Sequence, residues 1–215
     1  MSDFEATARL FRWLTDDALP FWSTRGVDRR AGGFVERVEP DSSLDMAVRR
    51  ARLVARQIYA FRVAGDLGWT GPADDLVRHG HEALLAHHIG EDLVVIPEHR
   101  PAEHADAGRF ELYDQAFVLF GLSQVARIGD TSAEPLALRL LETMRAHWQH
   151  PAGGFGETRP IGPPLKSNPH MHMFEAALSW LEVSGQPEWH ALASEIADLC
   201  LDRFLDPDSG EIGRA

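Results

Sequence analysis

The stretch Ala152-Gly153-Gly154-Phe155-Gly156-Glu157-Thr158-Arg159-Pro160-Ile161, AGGFGETRPI, decides how the chain is read, because residues 31–40, AGGFVERVEP, are a close copy of it. Paired glycines ahead of an aromatic residue make tight turns. DLVVIPEH, residues 92–99, sits at a similar place in its own unit, and DSGEIGRA, residues 208–215, reads as another beginning of the same element. Gly33, Gly90, Gly154 and Gly210 are spaced by 57, 64 and 56 residues. Gly65, Gly129 and Gly185, which read as helix-closing glycines, are spaced by 64 and 56. A period near 60 is one helical hairpin plus a connecting loop. Such a unit cannot bury its apolar face alone and must stack on its neighbours.

Helical periodicity fills the space between the loops. Apolar residues recur at i, i+3 and i+4 over segments near 3–18, 44–64, 73–89, 112–127, 133–147, 169–183 and 187–204. The boundaries carry start and stop residues: Asp41-Ser42-Ser43 before the second segment, Pro72 before the third, Asn168-Pro169 before the sixth. The chain is therefore expected to be all-α, with helices alternating between an inner and an outer layer. Stacked hairpins form either an open solenoid or a closed toroid. A closed ring of six hairpins needs about 360 residues at this period. The 215 residues hold about three and a half units. They are expected to be the N-terminal part of a longer domain.

Composition narrows the function classes. The net charge is −12 and no basic run exceeds two residues, as in Arg49-Arg50. That argues against nucleic acid and against anionic membrane surfaces, both of which need clustered cations. No apolar run approaches the ~18 residues of a membrane span. Cys200 is the only cysteine, so no intrachain disulfide can form. The N-terminus MSDFEATARLFRW is acidic and amphipathic, unlike a signal peptide. A cytoplasmic protein is expected.

Three helix starts carry polar residues that core packing does not require. In SNPHMHMFEA, residues 167–176, Asn168 suits the N-cap and Pro169 the first turn. His172, Glu175 and Ser179 then share one face, while Phe174, Ala177, Leu178 and Leu181 define another. In RLVARQIYAF, residues 52–61, Arg56 and Gln57 interrupt an apolar helix. Arg56 is either a snorkelling surface cation or a fixed fork of donors. In ELYDQAFVLFGL, residues 111–122, Tyr113, Asp114 and Gln115 open the helix, and the helix dipole alone explains an acid there. If the first helices of successive hairpins line a central cavity, these residues converge on one pocket. His79, His81, His87 and His88 read as a solvated helix face, since no ligand spacing completes a metal site. The glycine pairs lack the GK[ST] of a phosphate loop.

The blocks NPHMHMFEA, RQIYAF and YDQAF, with the AGGF-x-E loops, resemble the N-acylglucosamine 2-epimerase and mannose isomerase family along essentially the whole chain. The resemblance implies an (α/α)6 barrel of about twelve helices, with residues 1–215 as the N-terminal portion of that single domain. It implies an isomerase or epimerase of carbohydrate metabolism acting at C1 and C2 of a hexose. Mannose-type aldose–ketose isomerisation is preferred over N-acylglucosamine 2-epimerisation. Arg56, Tyr113, Asn168 and His172 are the positions implied to touch the sugar, with His172 in a supporting catalytic role. Family members often carry histidine where this chain has Gln115. The family's main acid/base histidines lie in blocks these residues do not contain, so the 215-residue chain alone is expected to be inactive. The chemistry explains the residue types. A near-neutral base takes the C2 proton of the open-chain aldose and returns it through a cis-enediol, while donors such as Arg56 and Asn168 hold hydroxyls. The expected partner is a small-molecule sugar, and no metal or other cofactor is implied. Two other readings stay open: an (α/α)6 glycoside hydrolase using Asp114 and Glu175 as its carboxylates, and a non-catalytic helical-repeat scaffold.

Overall fold

A computed structural model describes residues 3–45, 48–100 and 110–213. Helix α1 (Asp3–Trp13) continues through a π-helical turn, Leu14–Ala18, into α2 (Leu19–Thr24). Three hairpins follow: α3 (Ala51–Asp66) with α4 (Ala73–Ala83), α5 (Leu112–Arg127) with α6 (Ala133–Trp148), and α7 (Ser167–Leu181) with α8 (Pro187–Leu199). Helices α4 and α8 each end in a further π-helical turn, Leu84–His88 and Cys200–Phe204. The first helices of the hairpins, α3, α5 and α7, pack side by side as an inner layer, and α4, α6 and α8 back them.

Residue type sets the layers. In α5 every residue from Asp114 to Val125 is buried, so this helix is covered on all sides. Helix α4 buries Leu76, Val77, Gly80 and His81 and turns its charges outward. Small residues let the inner helices approach closely. A Cβ at Gly121 of α5 would lie 3.0 Å from the Cβ of Ala55 on α3. Between α5 and α7 the contact is partly polar: the Ser123 and Ser179 hydroxyls meet at 2.6 Å, and the Gln124 amide donates to both. Trp180 stacks on Trp189 of α8 at 5.0 Å and donates its indole N–H to the Leu119 carbonyl of α5 at 2.9 Å.

The repeat is visible in the loops. Single antiparallel bridges join Val27 to Phe34, Ile89 to Val95, Gln149 to Phe155 and Leu205 to Ile212. The four second members of these pairs are 61, 60 and 57 residues apart. Each loop closes with the same two outer bonds, such as Asp28 N–H to Gly33 O and Val35 N–H to Gly26 O in the first and His150 N–H to Gly154 O and Gly156 N–H to Trp148 O in the third. Two register assignments from the sequence need correction. The left-handed position in the second loop is Leu93, φ 58°, and not Gly90. Gly65 lies inside α3, and the left-handed residue after that helix is Gly68, φ 86°, matching Gly129, φ 87°, after α5.

Other boundaries also move. The second helix begins at Ala51, because Leu44–Asp45 and Arg49–Arg50 are strand residues. Strand β1 (Arg37–Val38) pairs antiparallel with β2 (Leu44–Asp45), and β3 (Arg49–Arg50) with β4 (Glu98–His99). Cross-strand charge favours both, Arg37 with Asp45 at 3.3 Å and Arg50 with Glu98 at 3.4 Å. The four histidines of α4 and its π-turn are not a solvated face. His81 and His88 are 5% and 1% exposed. His79 and His87 bond the Gly33 and Ala31 carbonyls at 2.8 and 2.9 Å, and His88 bonds the Ile96 carbonyl at 3.0 Å. They fasten two turns to the helix, which pattern alone cannot reveal because the acceptors are backbone atoms. No helix is long and apolar enough to cross a membrane among the described residues. Nor do the described residues place three or more His, Cys, Asp or Glu together as metal ligands.

Candidate functional site

The site is built at the starts of the inner helices. The backbone enters the helical geometry of α7 at Ser167, with Lys166 at the cap position. Asn168 and Pro169 therefore sit inside the first turn, where an absent proline N–H has no intrahelical acceptor to miss. The two histidines of NPHMH then part company. His170 is 1% exposed. Its Nδ1–H donates to the Lys166 carbonyl at 2.7 Å, and its Nε2 accepts from the Phe155 N–H at 3.0 Å. Burial holds its ring below the ordinary imidazole range, so the neutral tautomer satisfies both bonds. His170 locks the AGGF turn onto the start of α7.

Gln115 does the same work one unit earlier. Its side chain is buried, and its amide brackets the Val95 backbone, accepting from N–H at 3.4 Å and donating to C=O at 3.5 Å. Val95 and Phe155 are equivalent bridge residues. Gln115, where the resemblance implied a histidine, is thus a turn fastener.

His172 projects elsewhere. Its ring lies edge-on to Tyr113 at 5.0 Å and tilted on Phe117 at 4.5 Å, and Nδ1 lies 2.9 Å from Glu175 Oε2. Arg56 of α3 joins the same cluster. Its guanidinium stands 4.2 Å over the Phe117 ring, and Nη2 donates to the Tyr113 hydroxyl at 2.6 Å. Arg56, Tyr113 and His172 come from three helices and meet around Phe117. Asn168 lies on α7 one turn before His172, about 6 Å along the axis. It is exposed, and among the described residues it shares no hydrogen bond with the other three. It also borders a separate apolar recess with Phe174, Phe204 and Ile212 between α7 and α8.

Arg52, Glu157 and Glu36 support the site without having been singled out by the sequence, and Asp114 takes a role other than the one read for it. Arg52 lies 5.8 Å from the Tyr113 ring centroid and pairs with Asp114 Oδ2 at 2.7 Å. Asp114 also accepts the Arg52 backbone N–H at 3.1 Å, so a carboxylate from α5 caps the start of α3. Asp114 is fully buried and does not face the cleft. Burial pushes its carboxyl up to about 6, although Arg52 pulls the other way. Glu157 repeats the device, accepting the Leu112 N–H at the start of α5 at 2.9 Å and pairing with Lys166 at 2.5 Å. Glu36, its counterpart in the first AGGF turn, binds the backbone and side chain of Arg50. The signal was the repeated glutamate of AGGF-x-E, whose partner lies in another unit.

Below the cluster the inner helices border a cleft of about 630 Å³. Tyr59, Phe120, His172 and Glu175 form its upper wall. At its far end Arg62 is paired with Asp66, and Arg127 with Glu182. An exposed guanidinium, a phenol and an imidazole beside aromatic faces can bind several hydroxyls of one small polyol.

Comparison with known proteins gives this geometry a context. Over 208 residues the chain is 36% identical to the mannose-6-phosphate isomerase of Rhizobium meliloti (strain 1021), covering 93% of this chain and 53% of that protein. Its fold is similar to the cellobiose 2-epimerase of Bacillus thermoamylovorans B4167, with a TM-score of 0.83 at 18% identity over 96% of this chain and 58% of that one. It is equally similar to a D-mannose isomerase structure, with a TM-score of 0.83 at 20% identity over 99% of this chain and 56% of that one. The chain thus spans about half the length of the proteins it matches, and its fold is the corresponding half of an (α/α)6 barrel. The sequence profile described as N-acylglucosamine 2-epimerase (GlcNAc 2-epimerase) matches residues 32–213. The chain belongs to the N-acylglucosamine 2-epimerase family.

Proposed function

We propose that residues 1–215 are the N-terminal portion of a single (α/α)6 barrel domain whose activity is isomerisation of a hexose at C1 and C2 through a cis-enediol. Aldose–ketose conversion of mannose or a close relative is the favoured reaction, with 2-epimerisation of an N-acyl sugar as the alternative. The observation that carries this reading is the cluster of Arg56, Tyr113 and His172 around Phe117, at the starts of three inner helices. Arg56 and Tyr113 supply hydroxyl and oxyanion donors, His172 supplies an imidazole, and Asn168 adds an amide at the rim of the same helix. Likeness to proteins named as a mannose isomerase, a mannose-6-phosphate isomerase and a cellobiose 2-epimerase supports the same chemistry.

Hydrolysis with Asp114 and Glu175 as the two carboxylates is disfavoured. Asp114 is buried and committed to Arg52, so it cannot reach a glycosidic oxygen. The cytoplasmic setting expected from the single cysteine stays part of this proposal. The test is conversion in D2O by the protein carrying a full ring of repeats. D-Mannose is expected to give fructose bearing solvent deuterium at C1, since the enediol exchanges its proton. Conversion of N-acetylglucosamine to N-acetylmannosamine alone would favour the alternative, and turnover of neither would reject both.

A further inference from the structure

Glu175 is the carboxylate next to His172 in the cleft wall, and the proposed reaction gives it no role. It is exposed, on α7, three residues after His172. Its Oε2 lies 2.9 Å from His172 Nδ1. A carboxylate has only acceptor sites, so the proton of this bond belongs to Nδ1. The remaining ring nitrogen, Nε2, has no hydrogen-bond partner among the described residues, and His172 lines the cleft. The ring itself cannot swing freely. Tyr113 meets it edge-on at 5.0 Å and Phe117 lies tilted against it at 4.5 Å. His172 is thus fixed in plane by aromatic contacts and fixed in tautomer by Glu175.

In water a free imidazole carries its proton on either nitrogen, so an unassisted histidine presents a mixture of donor and acceptor to a ligand. The Nδ1–H form presents only a lone pair at Nε2. Around the same Phe117 ring, Arg56 and Tyr113 present donors. The geometry points to a division of labour: Glu175 is a positioning residue that holds His172 as a hydrogen-bond acceptor, so that a sugar hydroxyl must donate to Nε2 while its neighbouring oxygens accept from Arg56 and Tyr113. This rests on the sugar reading above, and adds which atom receives which hydroxyl and which residue enforces it. Each secondary hydroxyl can donate one bond and accept others. A wall of donors alone would leave the hydroxyl proton unpartnered, at a cost that a fixed acceptor removes.

The tautomer can be read without turnover. The 215-residue chain is labelled with ring-15N histidine, and long-range 1H–15N spectra are recorded at about pH 8, above the ordinary imidazole pKa. The signals of His172 are assigned by their loss in His172→Asn. The expected result is a protonated Nδ1 and an unprotonated Nε2. Glu175→Gln keeps an acceptor oxygen and is expected to keep that tautomer. Glu175→Ala is expected to move the proton largely to Nε2 and to weaken D-mannose binding about tenfold, the scale of one lost charge-assisted bond. A wild-type ring protonated on Nε2, or a tautomer unchanged in Glu175→Ala, overturns the inference. If Glu175→Ala does not fold, the wild-type and Glu175→Gln spectra decide by themselves. The two readings fail separately. The expected tautomers with no mannose-induced change at Nε2 uphold the positioning pair and reject the sugar site. A mannose-induced change with a tautomer indifferent to Glu175 upholds the site and rejects the pair.

Discussion

His170 and His172 are two residues apart and do unrelated work. His170 spends both ring nitrogens on backbone groups and is 1% exposed. His172 keeps one nitrogen for the cleft. His170→Ala is therefore expected to strand the Phe155 N–H and the Lys166 carbonyl and to lower unfolding stability by roughly 2–3 kcal/mol. His172→Ala should cost less than about 1 kcal/mol, as for a residue with a solvent-facing side, yet abolish mannose binding. Urea titrations and ligand-observed NMR on the two variants check this, and equal stability losses would refute the division.

Asp114 gives a pH signature at the same scale. Its carboxyl is pushed from 3.8 up to about 6 by burial, partly offset by Arg52. Between those values the folded chain holds a proton that the unfolded chain has released. Stability from this group is present below about pH 4 and is lost as pH rises through about 6, on the order of 3 kcal/mol in all. His88 acts oppositely. Burial lowers its ring from 6.5 to about 4, so its contribution is lost as pH falls through that window. The two offset each other in the wild type. Asp114→Asn should leave the His88 term unopposed, giving a steeper rise in stability from pH 4 to pH 6. Unfolding free energies at the two pH values check the slope, and an unchanged slope would remove Asp114 from the account.

At the scale of elements, hairpins are joined by turns and by borrowed caps. The AGGF turn needs its glycines for two reasons. Gly154 has φ 66°, and a Cβ there would lie 2.5 Å from His170 Nε2 and 2.7 Å from Leu199 Cδ2. Gly154→Ala should combine left-handed strain of about 1 kcal/mol with displacement of the His170 fastener, for a total loss of roughly 3 kcal/mol or more. Gly210, φ 71°, has nothing within 4 Å of the equivalent position, so Gly210→Ala should show the strain alone. A thermal-melt comparison of the two tests this, and similar losses would deny the His170 contact. Leu93 shows why glycine spacing misreads this register. A left-handed residue there is affordable for leucine because its side chain packs against the core. The carboxylates Asp114 and Glu157 cap helices of neighbouring hairpins. Propensity within a single segment carries no trace of that.

At the scale of the whole molecule, the inner helices α3, α5 and α7 bring Arg56, Tyr113 and His172 together around Phe117, and the proteins this chain matches are about twice as long. His172 is read as a supporting group, and the resemblance implies that the main acid/base histidines lie in blocks these residues do not contain. The 215-residue chain assayed alone is expected to show no mannose-to-fructose turnover, whereas the same chain carrying the remaining repeats should. Loss of an acid/base group costs about 10²–10⁴-fold in rate. Substantial turnover by the short form would mean that the proton-transfer groups lie within these residues. The period near 60, the alternation of amphipathic helices, the polar starts of α3, α5 and α7 and the family likeness are all legible in the order of residues. Each of those is written in local spacing, which helix geometry converts directly into faces. That His170 fastens a turn while His172 faces the cleft, that Asp114 is buried under Arg52, and that Phe117 is the hub of the cluster emerges from the packed fold. Those outcomes depend on partners as far as 62 residues away along the chain, as from Arg52 to Asp114. A side chain's environment is set by what packs against it, and in stacked hairpins much of that comes from another repeat.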